Sequence, residues 1–328
     1  MKILIRLPNW LGDVVMSTAF VRAVQQLYPG SQVDVIIKKE LSDIPGFIPG
    51  IHKIHSFSKQ EYKGLSGVYR FGKQLRSENY DLFFCLPDSL SSAVLGWASR
   101  ARKRIGYGKE GRFFLLTNSY AKPLKQHRVD EYLGLLEKFT GKVIDERKVE
   151  ITVSNEEGHD NKFIIVNFNS EAESRRMPAD KAKHLLGVLC DAFPGYQFGL
   201  FGSPKEKGFI DSLLGDRDDQ QIINYAGKTR LGQLAGHMAS SKAMITTDSG
   251  PAHLANAIGL PTIVLFGAGD ETNTAPYNKE RLTVLRAGKL GCEPCVRNTC
   301  KLYGVPKCME LLDEIKIVNA LSLYLNHA

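Results

Sequence analysis

The sequence lacks any run of about 18 consecutive apolar residues, which excludes a helix that spans a membrane. The chain enters an apolar strand pattern at once, without the charged, apolar and small-residue regions of a signal peptide, so we expect a cytoplasmic protein. No low-complexity tract or solenoid-period repeat is present, which excludes an array of short repeats. The glycine pattern G-x-G-x-x-G, which binds dinucleotides, is absent from the turn after the first strand at each place where a strand–helix alternation begins. Its absence disfavours a nicotinamide-dependent oxidoreductase.

Positive charge is concentrated in one half of the chain. Of the 328 residues, 1–155 hold 24 Lys and Arg against 15 Asp and Glu, whereas 156–328 hold 19 against 20. A basic half beside a neutral half indicates an anionic partner for the first half. Nucleic acid, an acidic membrane surface and a phosphorylated or carboxylated substrate all fit that charge.

The order of apolar runs and polar turns predicts an α/β protein of two domains, 1–155 and 156–328. Lys2 to Leu7 and Val33 to Ile37 enclose a helical pattern, which gives a βαβ unit. A polar linker over 153–162 follows, and the strand–helix alternation then restarts at Phe163. We expect two Rossmann-like domains that face a cleft, with ligands beyond the carboxyl ends of the strands. An amphipathic pattern over 309–325 predicts a closing helix.

The stretch from Thr246 to Ala257 (TTDSGPAHLANA) follows an apolar strand and opens a helix of small residues. Such a turn directs free backbone N–H groups and the positive end of a helix dipole at one place, which suits a phosphate. Helix capping by Asp or Ser, with Pro in the first turn, is the alternative interpretation.

Further polar turns follow other strands of the same array. They are N-S-E-A-E-S-R-R-M-P over 169–178, F-G-S-P-K-E over 201–206 and A-G-K-T over 226–229. Paired arginines fit a diphosphate because guanidinium binds phosphate bidentately. A solvated loop, with Pro178 at the start of the next helix, is the alternative interpretation of that turn. In the first array, Asp13 follows the first strand, where it is either a charge at a helix N-terminus or a general base.

These turns, in their order and spacing, resemble the bacterial lipopolysaccharide heptosyltransferases, glycosyltransferase family 9, and most of all their heptosyltransferase II branch. The resemblance rests on PNWLGD, S-x-x-x-x-R-R-M-P, FGSPKE, AGKT and TTDSGPAHLANAIGLPTIVLFG, and it covers essentially the whole chain. It implies the GT-B architecture, with the acceptor in the first domain and the donor in the second. It further implies that the closing helix packs back on the first domain.

The resemblance implies an inverting glycosyltransferase that moves L-glycero-D-manno-heptose from ADP-heptose to the Kdo or heptose of the inner core on lipid A. Catalysis then needs no cofactor, and Asp13 is the general base. The implied partners are the ADP-sugar and the anionic lipid A-core acceptor, with peripheral contact at the cytoplasmic face of the inner membrane and no nucleic acid. By matching position, the resemblance implies that the donor is bound by eight residues of the second domain: Ser170, Arg175, Glu206, Thr229, Asp248, Ser249, Gly250 and His253.

One departure from the family pattern concerns the diphosphate contact. The family has Lys-Arg-Trp-Pro where this chain has Arg175-Arg176-Met177-Pro178. Arginine keeps the positive charge but presents a planar fork instead of a point charge, so the phosphate contact differs in geometry.

A basic run over 100–112 holds six Lys and Arg against one acid, Glu110. A solvated surface is one interpretation. The other is contact with the carboxylates and phosphates of the acceptor or with the membrane. We therefore expect Arg104 and Arg112 of this run to bind the acceptor, and His127, which lies outside the run, is a second candidate for acceptor binding.

Four of the six cysteines lie near the end of the chain, at Cys292, Cys295, Cys300 and Cys308. The Cys-x-x-Cys spacing is one that metals use, so a structural zinc site is one interpretation. Reduced cysteines without metal and a redox or iron–sulfur role are the others.

Two other functions compete with ADP-heptose transfer. A related glycosyltransferase with another nucleoside-diphosphate sugar or acceptor is the first. A basic protein that binds an anionic polymer without catalysis is the remoter one, and it leaves the aligned strand-end turns unexplained.

Overall fold

A computed structural model describes residues 1–153, 162–214 and 220–326. The chain forms two compact units, 1–152 and 153–328. The linker that the sequence predicts over 153–162 lies, except for its two end residues, outside the described residues. No helix within those ranges has the length and apolar character needed to cross a bilayer.

The first unit carries six parallel strands and five helices among its described residues. Its elements are β1 (Lys2–Arg6), α1 (Leu11–Met16), α2 (Thr18–Leu27), β2 (Gln32–Lys38), β3 (Ile51–Phe57), α3 (Gly64–Gln74), β4 (Leu82–Cys85), α4 (Leu90–Ser99), β5 (Lys103–Tyr107), β6 (Asn118–Tyr120) and α5 (Arg128–Thr140). The strand order is β3-β2-β1-β4-β5-β6.

The second unit repeats this plan. Its elements are β7 (Phe163–Asn167), α6 (Ala179–Ala192), β8 (Gln197–Leu200), α7 (Lys207–Leu214), β9 (Ile222–Asn224), α8 (Leu231–Ala239), β10 (Ala243–Thr247), α9 (Gly250–Ile258), β11 (Thr262–Phe266), α10 (Glu271–Thr274), β12 (Leu282–Arg286), α11 (Lys307–Glu310) and α12 (Glu314–Asn326). The strand order is β12-β11-β10-β7-β8-β9.

Both orders are the doubly wound Rossmann order, in which the chain reverses direction across the sheet after the third strand. The reversal leaves a crevice at the carboxyl ends of β1 and β4 in the first unit, and of β7 and β10 in the second. The central strands β1, β7 and β10 are buried on both faces, which explains their continuous apolar runs. The predicted α/β class with two Rossmann-like units is confirmed.

The helical pattern between Leu7 and Val33 forms two helices, α1 and α2, which meet at Ser17; its hydroxyl donates to the Val14 carbonyl at 2.7 Å. The helix predicted over 309–325 is also divided, into α11 and α12. Ile317 and Leu321 of α12 are buried in the core of the second unit, where α12 packs on α6 and on β10 to β12. Packing of this helix on the first domain stays a prediction.

Candidate active site

In the first unit, Asp13 lies in the first turn of α1, directly beyond the carboxyl end of β1. Its carboxylate Oδ1 is 3.6 Å from Nε of Arg128, which is the first residue of α5. Burial raises the pKa of Asp13; the positive charges of Arg128 and Lys122 oppose that rise, and Glu131 adds to it. Tyr132 also lies close enough for its phenol to interact electrostatically with this carboxylate. Asp13 is therefore a half-buried carboxylate at the first switch point, with one cation beside it.

A series of charged side chains with alternating sign continues from Arg128 along the same edge of the sheet. Arg128 Nη1 donates to both carboxylate oxygens of Glu131 at 2.9 Å, and Lys122 Nζ lies 2.7 Å from Glu131 Oε1. Lys122 also pairs with Asp88, whose Oδ1 is 3.6 Å from Nη2 of Arg112. Because each charge has an opposite neighbour, the partly buried groups hold one another in place.

The three residues expected to bind the acceptor have structural partners. Arg112 is fully buried and donates from Nε to the Tyr107 carbonyl at 2.8 Å, so a direct contact with an acceptor does not fit its position. Arg104 donates to the carbonyls of Leu115 and Ala101. His127 caps α5, since its Nδ1 accepts from the backbone N–H of Val129 at 3.2 Å.

In the second unit, Asp248 follows β10 and lies at the second switch point. The residue is 4% exposed, and its Oδ2 is 3.2 Å from Nη1 of Arg175, which belongs to a 3₁₀ turn after β7. Burial raises the pKa of Asp248, and Arg175 and Arg286 oppose that rise. A side chain at Gly269 would collide with Asp248 Oδ2, so the backbone after β11 approaches this carboxylate closely.

The turn before α9 is organised by neighbouring strands. Ser249 is the N-cap residue of α9, and its hydroxyl lies 3.2 Å both from Asn167 Nδ2 and from the Thr246 hydroxyl. The Ser170 hydroxyl donates to the Asp248 carbonyl at 3.5 Å. The structure therefore brings Ser170, Arg175, Asp248 and Ser249 together, with Gly250 and the buried His253 on the first turns of α9.

Glu206 and Thr229 lie on two neighbouring turns of the same unit. The backbone N–H of Gly227 donates to the Gly202 carbonyl at 2.9 Å, which joins these turns. Gly227 has a φ of +70°, a conformation that glycine adopts without strain. Glu206 accepts from the backbone N–H of Ser203 at 2.7 Å.

The tail cysteines Cys292, Cys295, Cys300 and Cys308 all line one small cavity of about 20 Å³. Among the described residues, no three His, Cys, Asp or Glu side chains are already arranged to hold a metal ion. The segment that carries these cysteines bonds to the donor-side turns: Asn298 and Arg297 accept from Ser174, and Val296 donates to Ala268.

Two Rossmann-like units with polar groups at both switch points form the GT-B fold of nucleotide-sugar-dependent glycosyltransferases. The solved structure of E. coli ADP-heptose LPS heptosyltransferase II is similar over 99% of both chains, with 24% identity and a TM-score of 0.83. A family 9 glycosyltransferase from Veillonella parvula has a TM-score of 0.84 and 21% identity over 100% of this chain and 97% of that one.

The sequence profile of glycosyltransferase family 9 (heptosyltransferase) matches residues 68–305, and the chain belongs to this family. It is therefore a glycosyltransferase. Among curated relatives, lipooligosaccharide heptosyltransferase 2 of Haemophilus ducreyi is 28% identical over 87% of this chain and 88% of its own length. The profile match includes Arg175 and Asp248 but not Asp13.

Proposed function

We propose that this glycosyltransferase transfers L-glycero-D-manno-heptose from ADP-heptose to a Kdo or heptose of the lipopolysaccharide inner core, with inversion at the anomeric carbon. The observation that carries the proposal is the Asp248–Arg175 pair beside the N-terminus of α9, inside the family match. The second unit thereby offers a cation and free backbone N–H groups to a diphosphate, and a carboxylate to sugar hydroxyls.

The proposed reaction is a single displacement. Asp13 takes the proton of the acceptor hydroxyl, the hydroxyl oxygen bonds to the anomeric carbon, and the bond from that carbon to the diphosphate oxygen breaks. The transition state has oxocarbenium character, as in glycoside hydrolysis. ADP leaves with the bonding electron pair, and Arg175 and the α9 N-terminus stabilise its growing negative charge.

The test is a panel of ADP- and other nucleoside-diphosphate sugars against lipid A-core acceptors, read by mass spectrometry of the product. The proposal expects a heptose mass increment with ADP-heptose. Transfer of another sugar only would replace the donor assignment, and no transfer beside retained binding to anionic polymers would favour the non-catalytic alternative.

Asp13→Asn tests the base directly, since the amide keeps the size of the side chain and cannot take the proton. We expect turnover to fall by about 10²-fold or more, with ADP binding unchanged because Asp13 lies in the other unit. Steady-state rates and calorimetry with ADP measure the two effects. Turnover close to that of the wild type would assign the base elsewhere.

We also propose that the four tail cysteines bind one structural zinc ion. Their shared cavity and their spacing support the proposal, since the four thiols, once deprotonated, would hold the ion. Burial and nearby Glu293 raise the pKa of Cys308 to about 11, so in the metal-free chain this thiol stays protonated at neutral pH, and zinc would displace its proton. Metal analysis of protein purified without chelator is expected to find about one zinc per chain. Iron in place of zinc would favour a redox or iron–sulfur role, and protein without metal would favour reduced cysteines that bind no metal.

The proposed acceptor is anchored in a bilayer, so the proposal includes peripheral contact of the enzyme with the cytoplasmic face of the inner membrane. The excess positive charge of residues 1–155 supports this contact, because anionic headgroups attract basic surfaces.

A further inference from the structure

Two neighbouring phenylalanines in the first unit expose most of their large apolar side chains to solvent. Phe113 is 62% exposed and Phe114 is 68% exposed. Their rings meet edge to face with centroids 5.9 Å apart, so they form one apolar projection, here called the phenylalanine pair. Exposed aromatic groups of this kind indicate a contact surface.

The turn that carries the pair is firmly anchored. It is a 3₁₀ turn, Arg112–Leu115, between β5 and β6. Arg112 is buried beneath it and donates to the Tyr107 carbonyl at 2.8 Å and to the Ser89 carbonyl at 3.2 Å. Arg112 thus fixes the turn to β5 and to the start of α4, and the exposure of the two rings is a defined feature of the fold.

Positive charge adjoins the turn that carries the pair. Lys109 is exposed, and its carbonyl accepts from the backbone N–H of Arg112 at 3.1 Å. Arg104 donates from Nε to the Leu115 carbonyl at 2.8 Å, at the other end of the turn. The helix α4 packs against the turn and carries Trp97, which is 49% exposed. Aromatic side chains beside exposed cations match the boundary between lipid headgroups and acyl chains, where rings enter and cations meet phosphates.

The pair also lies at the edge of the sheet that carries Asp13. Arg112 lies 3.6 Å from Asp88. Ion pairs connect Asp88 through Lys122 and Glu131 to Arg128, which lies beside Asp13. A bilayer contact at this edge would therefore hold a lipid-anchored acceptor on the side of the proposed base.

We propose that the phenylalanine pair inserts into the headgroup region of an anionic bilayer while Lys109, in the same turn region, contacts lipid phosphates. This inference rests on the proposed function in one respect only, the lipid anchor of the acceptor. It assigns the membrane contact to a defined turn, whereas charge alone would spread it over the basic half of the chain.

The first experiment is co-sedimentation of the full chain with phosphatidylcholine vesicles, with and without phosphatidylglycerol. Phe113→Ser/Phe114→Ser should bind the anionic vesicles roughly tenfold or more weakly, since two apolar rings no longer leave water. The matched control is Ile315→Ser/Leu323→Ser, which removes residues that are 71% and 60% exposed on α12 of the second unit. The control should bind as the wild type does.

The second experiment compares a vesicle-embedded lipid A-core acceptor with its fully deacylated, water-soluble form. The phenylalanine variant should lose activity on the embedded acceptor and keep it on the soluble one. Unchanged vesicle binding overturns the proposal. It is also overturned if the wild type is a dimer in solution and the variant is a monomer, because the pair would then be an interface between copies. If the wild type uses neither acceptor, the proposed function fails, while vesicle binding still decides the role of the pair.

Discussion

At the scale of single residues, Arg128 is the group that most directly affects Asp13. Its Nε lies 3.6 Å from the carboxylate and, among the described residues, makes no hydrogen bond, while its Nη1 is held by Glu131. A proposed base that is half buried benefits from such a cation, because burial raises the pKa of Asp13 and Arg128 opposes the rise. Arg128 is in this sense a positioning residue for the base.

Replacing Arg128 should therefore change the pH dependence of the reaction. In Arg128→Met the pKa of Asp13 rises further, so the carboxylate is protonated at a higher pH than in the wild type. The acidic limb of the kcat/KM profile is expected to move to higher pH, and Arg128→Lys should restore part of the shift. The control is Arg147→Met, which breaks ion pairs with Asp130 and Glu137 on the same helix. A profile that moves equally in both variants, or in neither, would contradict this role.

Arg175 is the corresponding residue on the donor side. In Arg175→Ala we expect weaker ADP binding and a still larger loss of transfer rate, because the diphosphate gains charge as the glycosidic bond breaks. Arg175→Lys should rescue part of both, since one charged donor returns without the bidentate fork. Calorimetry with ADP and steady-state rates measure these effects. Normal ADP binding and turnover in Arg175→Ala would place the diphosphate elsewhere, and Arg176 would be tested next.

At the scale of elements, the cysteine segment supports the turn that carries Arg175. The backbone N–H of Ser174 donates to the Asn298 carbonyl at 3.0 Å, and its hydroxyl bonds the Arg297 carbonyl. The end of the segment also packs closely against the other side of the site. Cys308 and Met309 lie against Gly267, in the loop that leads to Gly269, and Gly269 lies against Asp248. The tail is thus joined to both sides of the proposed donor site.

Ser174→Ala is expected to weaken ADP binding by about two- to twelvefold, since one hydrogen bond of roughly 0.5–1.5 kcal/mol no longer holds the turn. The control is Ser212→Ala, whose hydroxyl also donates to a backbone carbonyl, that of Phe209 at 2.6 Å, on α7. Calorimetry with ADP compares the two variants with the wild type. Equal affinities for all three proteins would show that the segment does not position Arg175.

A buried polar cluster joins β2, β3 and the segment before β4 in the first unit. Asp34 on β2 is 1% exposed; it accepts from the Tyr80 hydroxyl at 2.5 Å and lies 2.9 Å from Nδ1 of His52. Burial by itself would raise the pKa of Asp34, but hydrogen bonds from His55, Tyr80 and His52 outweigh burial and lower that pKa to about 2. Its contribution to stability is therefore complete above the unfolded pKa, near 4, and is lost as the pH falls through about 2.

At the scale of the whole molecule, the chain has two units with separate sheets, so one unfolding free energy does not describe it. Calorimetry should give two components. ADP is expected to raise the melting temperature of the second-unit component, because ligand binding stabilises the unit that holds the site. Asp34→Asn should lower the other component, since partners in the first unit lose a buried acceptor at a cost of about 1–3 kcal/mol. An equal rise of both components with ADP would contradict binding to the second unit alone.

The sequence by itself determined the alternation of strands, turns and helices, because that information is local. The run from Ala243 to Gly259 predicts β10, its polar turn and α9, and all three are present. The edge strands β6 and β12 have no clear strand pattern in the sequence, since both are only partly buried and β6 has three residues. Pairing with a neighbour defines them more than their own residues do.

Only the tertiary structure decided which charges meet. Arg128 lies far along the chain from Asp13, and Arg175 lies far from Asp248, so no local spacing joins them; the reversal of strand order brings each pair to one edge. The same reason explains the burial of Arg112. Its place in a basic run favours an exposed side chain, but the turn places that side chain beneath the edge of the sheet and leaves Phe113 and Phe114 exposed. Composition specifies what a segment contains, and packing decides which of its side chains face water.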